Sequence, residues 1–192
     1  TKSRAWSTLF LISFEGIDRA GKTTQINLLA DFLEIKGHAV LKLREPGSSL
    51  VSEKIREILL DPLLEISPFT ELFLFEAARA ELVEKEIIPA LEEGKTVLSD
   101  RFYDSTSAYQ GGGRKLSMRD VERCNKIACR GVKPDLTFFL DISLRISENR
   151  SNDEFKDRIE NAGRDFYERV IKSFKEIAFK EPQRFFIIDA GG

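Results

Sequence analysis

Eight residues, Gly16-Ile17-Asp18-Arg19-Ala20-Gly21-Lys22-Thr23, follow the pattern G-x-x-x-x-G-K-[ST]. Their types describe a cradle for phosphate. Gly16 and Gly21 let backbone N–H groups turn inward on an anion. Lys22 brings a mobile ammonium to the β- and γ-phosphates of a nucleotide, and the Thr23 hydroxyl can hold Mg2+. Thr24 follows into a helix whose positive end points at the same phosphates. The pattern alone also fits an ordinary glycine turn. The order strand, loop, helix favours the cradle.

Other groups with chemistry recur at the ends of apolar runs. Asp100-Arg101 is one such pair. In a phosphate-binding fold, Asp100 can hold the water shell of Mg2+ opposite Thr23. Arg101 can neutralise charge that develops during phosphoryl transfer. A surface ion pair is the plainer alternative. Arg44-Glu45-Pro46-Gly47 sets a guanidinium before a rigid turn, suited to a bidentate phosphate contact. Phe75 and Arg79 lie four apart and share a helical face. The ring can stack on a flat base while the fork bonds its edge. Phe69, Leu72, Phe73 and Phe75 also read as core.

Ser105, Thr106 and Gln110 can read the edges of a small ligand, with aromatic Tyr109 among them. Gly111-Gly112-Gly113 suit close approach to that ligand, or a surface loop. The charge-dense stretch around Arg150, Arg158 and Arg169 reads as a lid at about 146–165, closing over a nucleotide. It also reads as an exposed helix with weak ion pairs.

The elements that must carry these groups alternate. Strand-like runs are Leu9–Phe14, Ala39–Arg44, Thr96–Asp100, Asp135–Asp141 and Arg184–Asp189. After the glycine loop, Ile26, Leu29 and Leu33 recur at helical spacing until Gly37. Helices are expected over Val51–Leu60, Pro68–Glu93 and Ser117–Arg130, the last with an S-x-x-D capping pattern. Asp153–Lys180 is expected as two helices broken near Gly163. This order predicts an α/β fold: a doubly wound, five-stranded parallel sheet with helices on both faces and a small helical lid. Glu15, Arg44, Asp100 and Asp141 fall at strand C-termini, where such folds bind ligands. A single domain over 9–192 is expected, with residues 1–8 a leader or remnant.

Composition narrows the classes. Of 192 residues, 42% are hydrophobic and 32% charged, so the chain is globular. A net charge of −2 gives no basic field for nucleic acid or an anionic membrane. No apolar stretch approaches membrane-spanning length. Cys124 and Cys129 lack metal-ligand spacing and read as free thiols in a reducing, cytoplasmic compartment. His38, the single histidine, reads as a surface residue.

Taken together, these motifs resemble thymidylate kinase. The matching pieces are Phe14-Glu-Gly-Ile-Asp-Arg-Ala-Gly-Lys-Thr-Thr24, Arg44-Glu-Pro-Gly47, Glu71-Leu-Phe-Leu-Phe-Glu-Ala-Ala-Arg79, Asp100-Arg-Phe102, Ser105-Thr-Ser-Ala-Tyr-Gln110, Pro134-Asp-Leu-Thr137 and Asp157-Arg-Ile-Glu160. The resemblance implies a P-loop NTPase fold and transfer of the ATP γ-phosphoryl group to dTMP with Mg2+, in dTTP biosynthesis. It implies ATP on residues 16–24. It puts Asp18 near the acceptor sugar and its metal, and Arg44 and Arg101 on the acceptor phosphate. Phe75 would stack on thymine with Arg79 and Thr106 at its edge, and Tyr109 would crowd the sugar. Ser105 and Gln110 complete the acceptor set.

The resemblance further implies a catalytic set of Lys22, Arg19, Arg101 and Asp18, and a homodimer. Arg19 is expected to be the main γ-phosphate arginine, with Arg150 and Arg158 available in the lid. The sequence departs from the family at Ser48, Ser49 and Ser52, where Gly-Thr and a later Gly are common. Leu82 stands where a histidine is frequent. The chain ends at Ala190-Gly-Gly192, soon after the last strand, where the family has a short helix. A kinase for dUMP or UMP, and a non-catalytic nucleotide sensor, are the alternatives. A guanine-reading N-K-x-D segment is absent, because Asn125-Lys126 runs into Ile-Ala.

Overall fold

A computed structural model describes residues 10–150 and 157–192. The expected leader, Leu9 and the centre of the expected lid lie outside them. Five parallel strands form one sheet in the order β2-β3-β1-β4-β5. They are β1 (Phe10–Glu15), β2 (Val40–Arg44), β3 (Thr96–Asp100), β4 (Leu136–Asp141) and β5 (Phe185–Asp189). The helices between them are α1 (Lys22–Ile35), α2 (Leu50–Leu60), α3 (Pro68–Leu82), α4 (Ile88–Glu92), α5 (Tyr103–Thr106), α6 (Met118–Cys129), α7 (Leu144–Asn149) and α8 (Arg164–Lys180).

The strands are apolar on both sides because both faces are covered. Ile12, Phe14 and Leu98 pack on Ile26 and Ala30 of α1. Leu11, Leu43 and Val97 point the other way, toward Leu82 and the residues after it. Phe139 and Phe185 meet Phe166, Val170 and Phe174 of α8. The register pairs Arg44 with Asp100, and Asp100 with Phe14. The C-terminal ends of three strands therefore open at one level.

Several expectations are corrected. The stretch Pro68–Glu93 is helical but not uniform. A π-helical turn, Val83–Ile87, joins α3 to α4. It precedes Pro89, which lacks the N–H that a regular α-helical continuation needs. Ser67 caps α3 by accepting from the Thr70 N–H, with Pro68 in the first turn. The expected Ser117 cap does not form: its hydroxyl makes no capping bond.

The polar stretch 105–113 is no surface loop. α5 runs into a π-helical segment, Ser107–Gly113, and both are largely buried. Its three glycines approach protein, not ligand. A Cβ on Gly111 would meet Met118, on Gly112 Ser173, and on Gly113 the Phe166 ring. Gly112 and Gly113 let α8 lie against this segment, and Gly111 makes room for α6. Gly163 does break the 153–180 stretch, at φ 86°. What precedes it among the described residues is only a 3-10 turn, Glu160–Ala162.

Candidate active site

The loop between β1 and α1 is shaped by its glycines. Gly16 has φ 140°, and a Cβ there would sit 2.8 Å from the Leu140 carbonyl oxygen. Gly21 has φ 95° and begins α1 with no side-chain cap, so the first N–H groups stay available to an anion. Lys22 curls back to donate to the Ile17 carbonyl at 3.1 Å. Burial, then the nearby Arg101 charge, lowers the Lys22 ammonium to about 8.

Arg19, Gly21, Lys22, Thr23, Thr24 and Arg150 line an open depression over this loop. Thr23 donates to the Asp100 carboxylate at 2.9 Å. A hydroxyl and a carboxylate side by side at the phosphate end fit Mg2+. That ion commonly takes one or two protein oxygens and completes its shell with phosphates and water. No group of three or more His, Cys, Asp or Glu placed to hold a metal ion by themselves occurs among the described residues.

Arg101, just after β3, reaches the loop. One guanidinium nitrogen donates to the Gly16 carbonyl at 2.7 Å and the other to Asp18 at 2.8 Å. Its plane lies over the Tyr109 ring, 5.1 Å from the centroid. Buried Glu15, at the end of β1, accepts from the Phe102 N–H and the Ser105 hydroxyl. Ser105 in turn accepts from Arg101. Burial foremost, then the Asp104 charge, raises the Glu15 pKa. Burial acts to raise Asp18 too, but Arg101 and Lys22 outweigh it and hold that carboxyl low. Tyr167 of α8 also donates to Asp18, at 3.3 Å. Arg19 and Arg101 both have positive φ, 62° and 73°.

A second cleft adjoins the loop. Asp18, Phe75, Arg79, Arg101, Ser105, Thr106, Tyr109 and Gln110 all line it. At its inner end Arg79 donates to Glu45 at 2.8 Å, to Thr106 at 2.9 Å and to Asn125 at 3.3 Å. Glu76 lies 3.1 Å away as an ion partner. Burial works against the Arg79 charge, but Glu45 and Glu76 keep it firmly protonated. Glu45, pushed up to about 7 mainly by burial, leaves one oxygen without a partner, as does the Tyr109 hydroxyl.

The other expected arginines are placed differently. Arg44 is turned away from the cleft and grips Glu53 with two bonds, at 2.9 and 3.0 Å. Arg56 lines the cleft instead. Sequence reading missed it; its only signal was a cation one turn beyond Ser52 on α2. Tyr167 was also missed as a neighbour of the site; Asp157 and Ile159, within the expected lid stretch, line the cleft. Arg150 donates to the Arg19, Ala190 and Gly192 carbonyls. Arg158 pairs with Glu71 at 2.6 Å. Arg19 pairs with Glu160 at 3.1 Å. Asp141 turns to Lys175, off the site.

A family model described as thymidylate kinase matches residues 14–192. The chain belongs to the thymidylate kinase family. It is similar to thymidylate kinase of Chlorobaculum parvum, 48% identical over 190 residues, covering 94% of this chain and 88% of that one. The enzyme of Prosthecochloris aestuarii is 49% identical, covering 93% and 85%. A crystal structure of thymidylate kinase from Ehrlichia chaffeensis superimposes with a TM-score of 0.78 at 37% identity, covering 93% of this chain and 91% of that one. Membership makes the chain a phosphotransferase of the P-loop type, acting in dTMP phosphorylation. No helix of the described residues is long and apolar enough to cross a membrane.

Proposed function

We propose that the protein transfers the γ-phosphoryl group of ATP to the phosphate of dTMP, giving dTDP and ADP for dTTP synthesis. The observation that carries this reading is the pair of adjoining clefts. Asp18 lines the one that also holds Phe75, Arg79 and Tyr109, its neighbour Arg19 lines the one over the P-loop, so their seam falls at 18–19, and Arg101 reaches it through Asp18.

ATP phosphates would lie on the N–H groups of residues 16–24, with Lys22 and Arg19 as cations. Mg2+, held by Thr23 and Asp100, would neutralise charge on the β- and γ-oxygens. The acceptor base would stack on Phe75, with Arg79, Thr106 and Gln110 at its edge and Tyr109 below the sugar. Arg101 would grip the acceptor phosphate, with Ser105 and Asp18 orienting that guanidinium. Arg44 would join only after releasing Glu53. Catalysis is positioning plus charge neutralisation, with no covalent intermediate.

A homodimer in the cytoplasm completes the reading. Exposed Phe69 and Phe73 on α3, and exposed Leu50 and Val51 on the neighbouring α2, support a second copy as partner. Cys124 and Cys129 are both unpaired, which suits a reducing compartment.

The test is ADP release from ATP with dTMP, dUMP, UMP or dCMP as acceptor. Release is expected with dTMP above the others and not with ATP alone. Preference for UMP would overturn the acceptor; no acceptor-dependent release would leave a nucleotide sensor.

A further inference from the structure

We propose that Glu71 is a positioning residue that ties the acceptor cleft to the base of the lid, with Arg158 serving it from the lid side. The inference rests on the dTMP kinase reading above and deepens it. Glu71 lies on α3, one turn before Phe75, and is fully buried. Three side chains converge on it. Gln110 donates its amide at 2.8 Å. Arg114 donates from two nitrogens, at 3.0 and 2.9 Å. Arg158 approaches at 2.6 Å.

Two of these partners lead to the same cleft from different elements. Gln110 lines the acceptor cleft. Arg158 lies between Asp157 and Ile159, which line the same cleft. It is stapled a second time, donating from Nε to the Leu59 carbonyl at 2.9 Å and from its backbone N–H to that of Leu60 at 3.2 Å. A guanidinium fixed at both ends is not poised to swing to the γ-phosphate. Burial tends to raise the Glu71 pKa, but Arg114, Gln110 and Arg158 outweigh it, so the carboxylate stays charged.

The chemical consequence falls on Gln110. With its NH2 group held by Glu71, the carbonyl end is left for the ligand. A carbonyl accepts from the ring N–H of a 2,4-dioxopyrimidine. It faces a lone pair at the same ring position of a 4-aminopyrimidine. Glu71 would therefore set the preference for thymine over cytosine without touching either.

Glu71→Gln is the test, with Arg158→Ala beside it. An amide at 71 no longer dictates which way Gln110 turns. KM for dTMP is expected to rise about tenfold, a typical loss for a charge-assisted bond. KM for ATP should stay within about twofold, and the kcat/KM ratio of dTMP to dCMP should fall about tenfold or more. Arg158→Ala should raise KM for dTMP in the same direction. A purely structural role would lower Tm and leave the dTMP to dCMP ratio intact; that result overturns the proposal. So does Arg158→Ala lowering kcat a hundredfold at unchanged KM for dTMP.

Hydrogen exchange without nucleotide separates this inference from the functional reading. The amides of residues 158–162 should exchange faster in Glu71→Gln, and unchanged rates would sink the clamp even in an active enzyme. If the wild type fails to phosphorylate dTMP, the functional reading fails while the exchange result still stands. Should Glu71→Gln not fold, Glu71→Asp is read in the same assays.

Discussion

Arg101 and Asp18, which line the same cleft, join at 2.8 Å beside the P-loop. The same guanidinium holds the Gly16 carbonyl. The end of β3 and the P-loop are thereby one unit. Replacing Asp18 by Asn leaves a mostly buried arginine with less compensating charge. The expected loss is about 100-fold or more in kcat/KM for the acceptor, from misplacement of Arg101. Arg101→Lys keeps the charge but cannot bridge Gly16, Ser105 and Asp18 together, so it should also lose at least about tenfold. Steady-state kinetics on both variants check this.

Arg19 flanks the open depression over the P-loop, and Arg158 is tied to Glu71. Arg19→Ala should therefore lower kcat by roughly two orders of magnitude, with KM for dTMP near wild type. Near-normal kcat in Arg19→Ala would remove that residue from the catalytic set.

Lys22 gives a pH dependence with a definite sign. Its folded pKa of about 8 lies below the ordinary 10.5. Between those values the unfolded chain binds more protons than the folded one. The residue thus costs stability below pH 8, and the cost fades as pH rises through that window. ATP phosphates favour the charged ammonium, so binding above pH 8 takes up a proton. The Kd for ATP should weaken with rising pH, by up to about tenfold per unit. Calorimetric titrations at pH 7 and 9 read this directly; a flat Kd in the wild type refutes it.

Gly113 tests the packing of α8 on the acceptor wall. An added methyl would press into the Phe166 ring, whose edge also meets Tyr109. Gly113→Ala should destabilise by about 1–3 kcal/mol, lowering Tm by about 2–4 °C per kcal/mol. A thermal melt at unchanged Tm would show that α8 yields freely.

The sheet and the P-loop were legible in the sequence because local pattern determines them. β1 and β4 are largely apolar runs, and the order strand, glycine loop, helix separates the phosphate cradle from an ordinary turn. The cleft lined by Phe75 and Arg79 was half legible. Phe75 and Arg79 share a face by spacing alone, but Glu45, Arg56 and Tyr167 reach the site through tertiary packing. The glycines 111–113 misled for the same reason. The freedom of Gly112 and Gly113 serves α8, more than fifty residues away in sequence, and that of Gly111 serves Met118 of α6. The Arg44 fork is taken up by Glu53, one loop away, a pairing that spacing alone does not reveal.

Two site arginines, Arg19 and Arg101, hold a backbone conformation that glycine adopts without strain. A side chain with a Cβ there is disfavoured by about 1–2 kcal/mol. Charge at the seam is thus kept at the expense of robustness, the usual exchange between activity and stability at working sites. Position 19 makes the exchange measurable. Arg19→Ala and Arg19→Gly remove the same guanidinium, yet the glycine variant should be the more heat-resistant of the two. Directed selection for thermal tolerance alone would be drawn to glycine at this position and would weaken the catalyst in doing so.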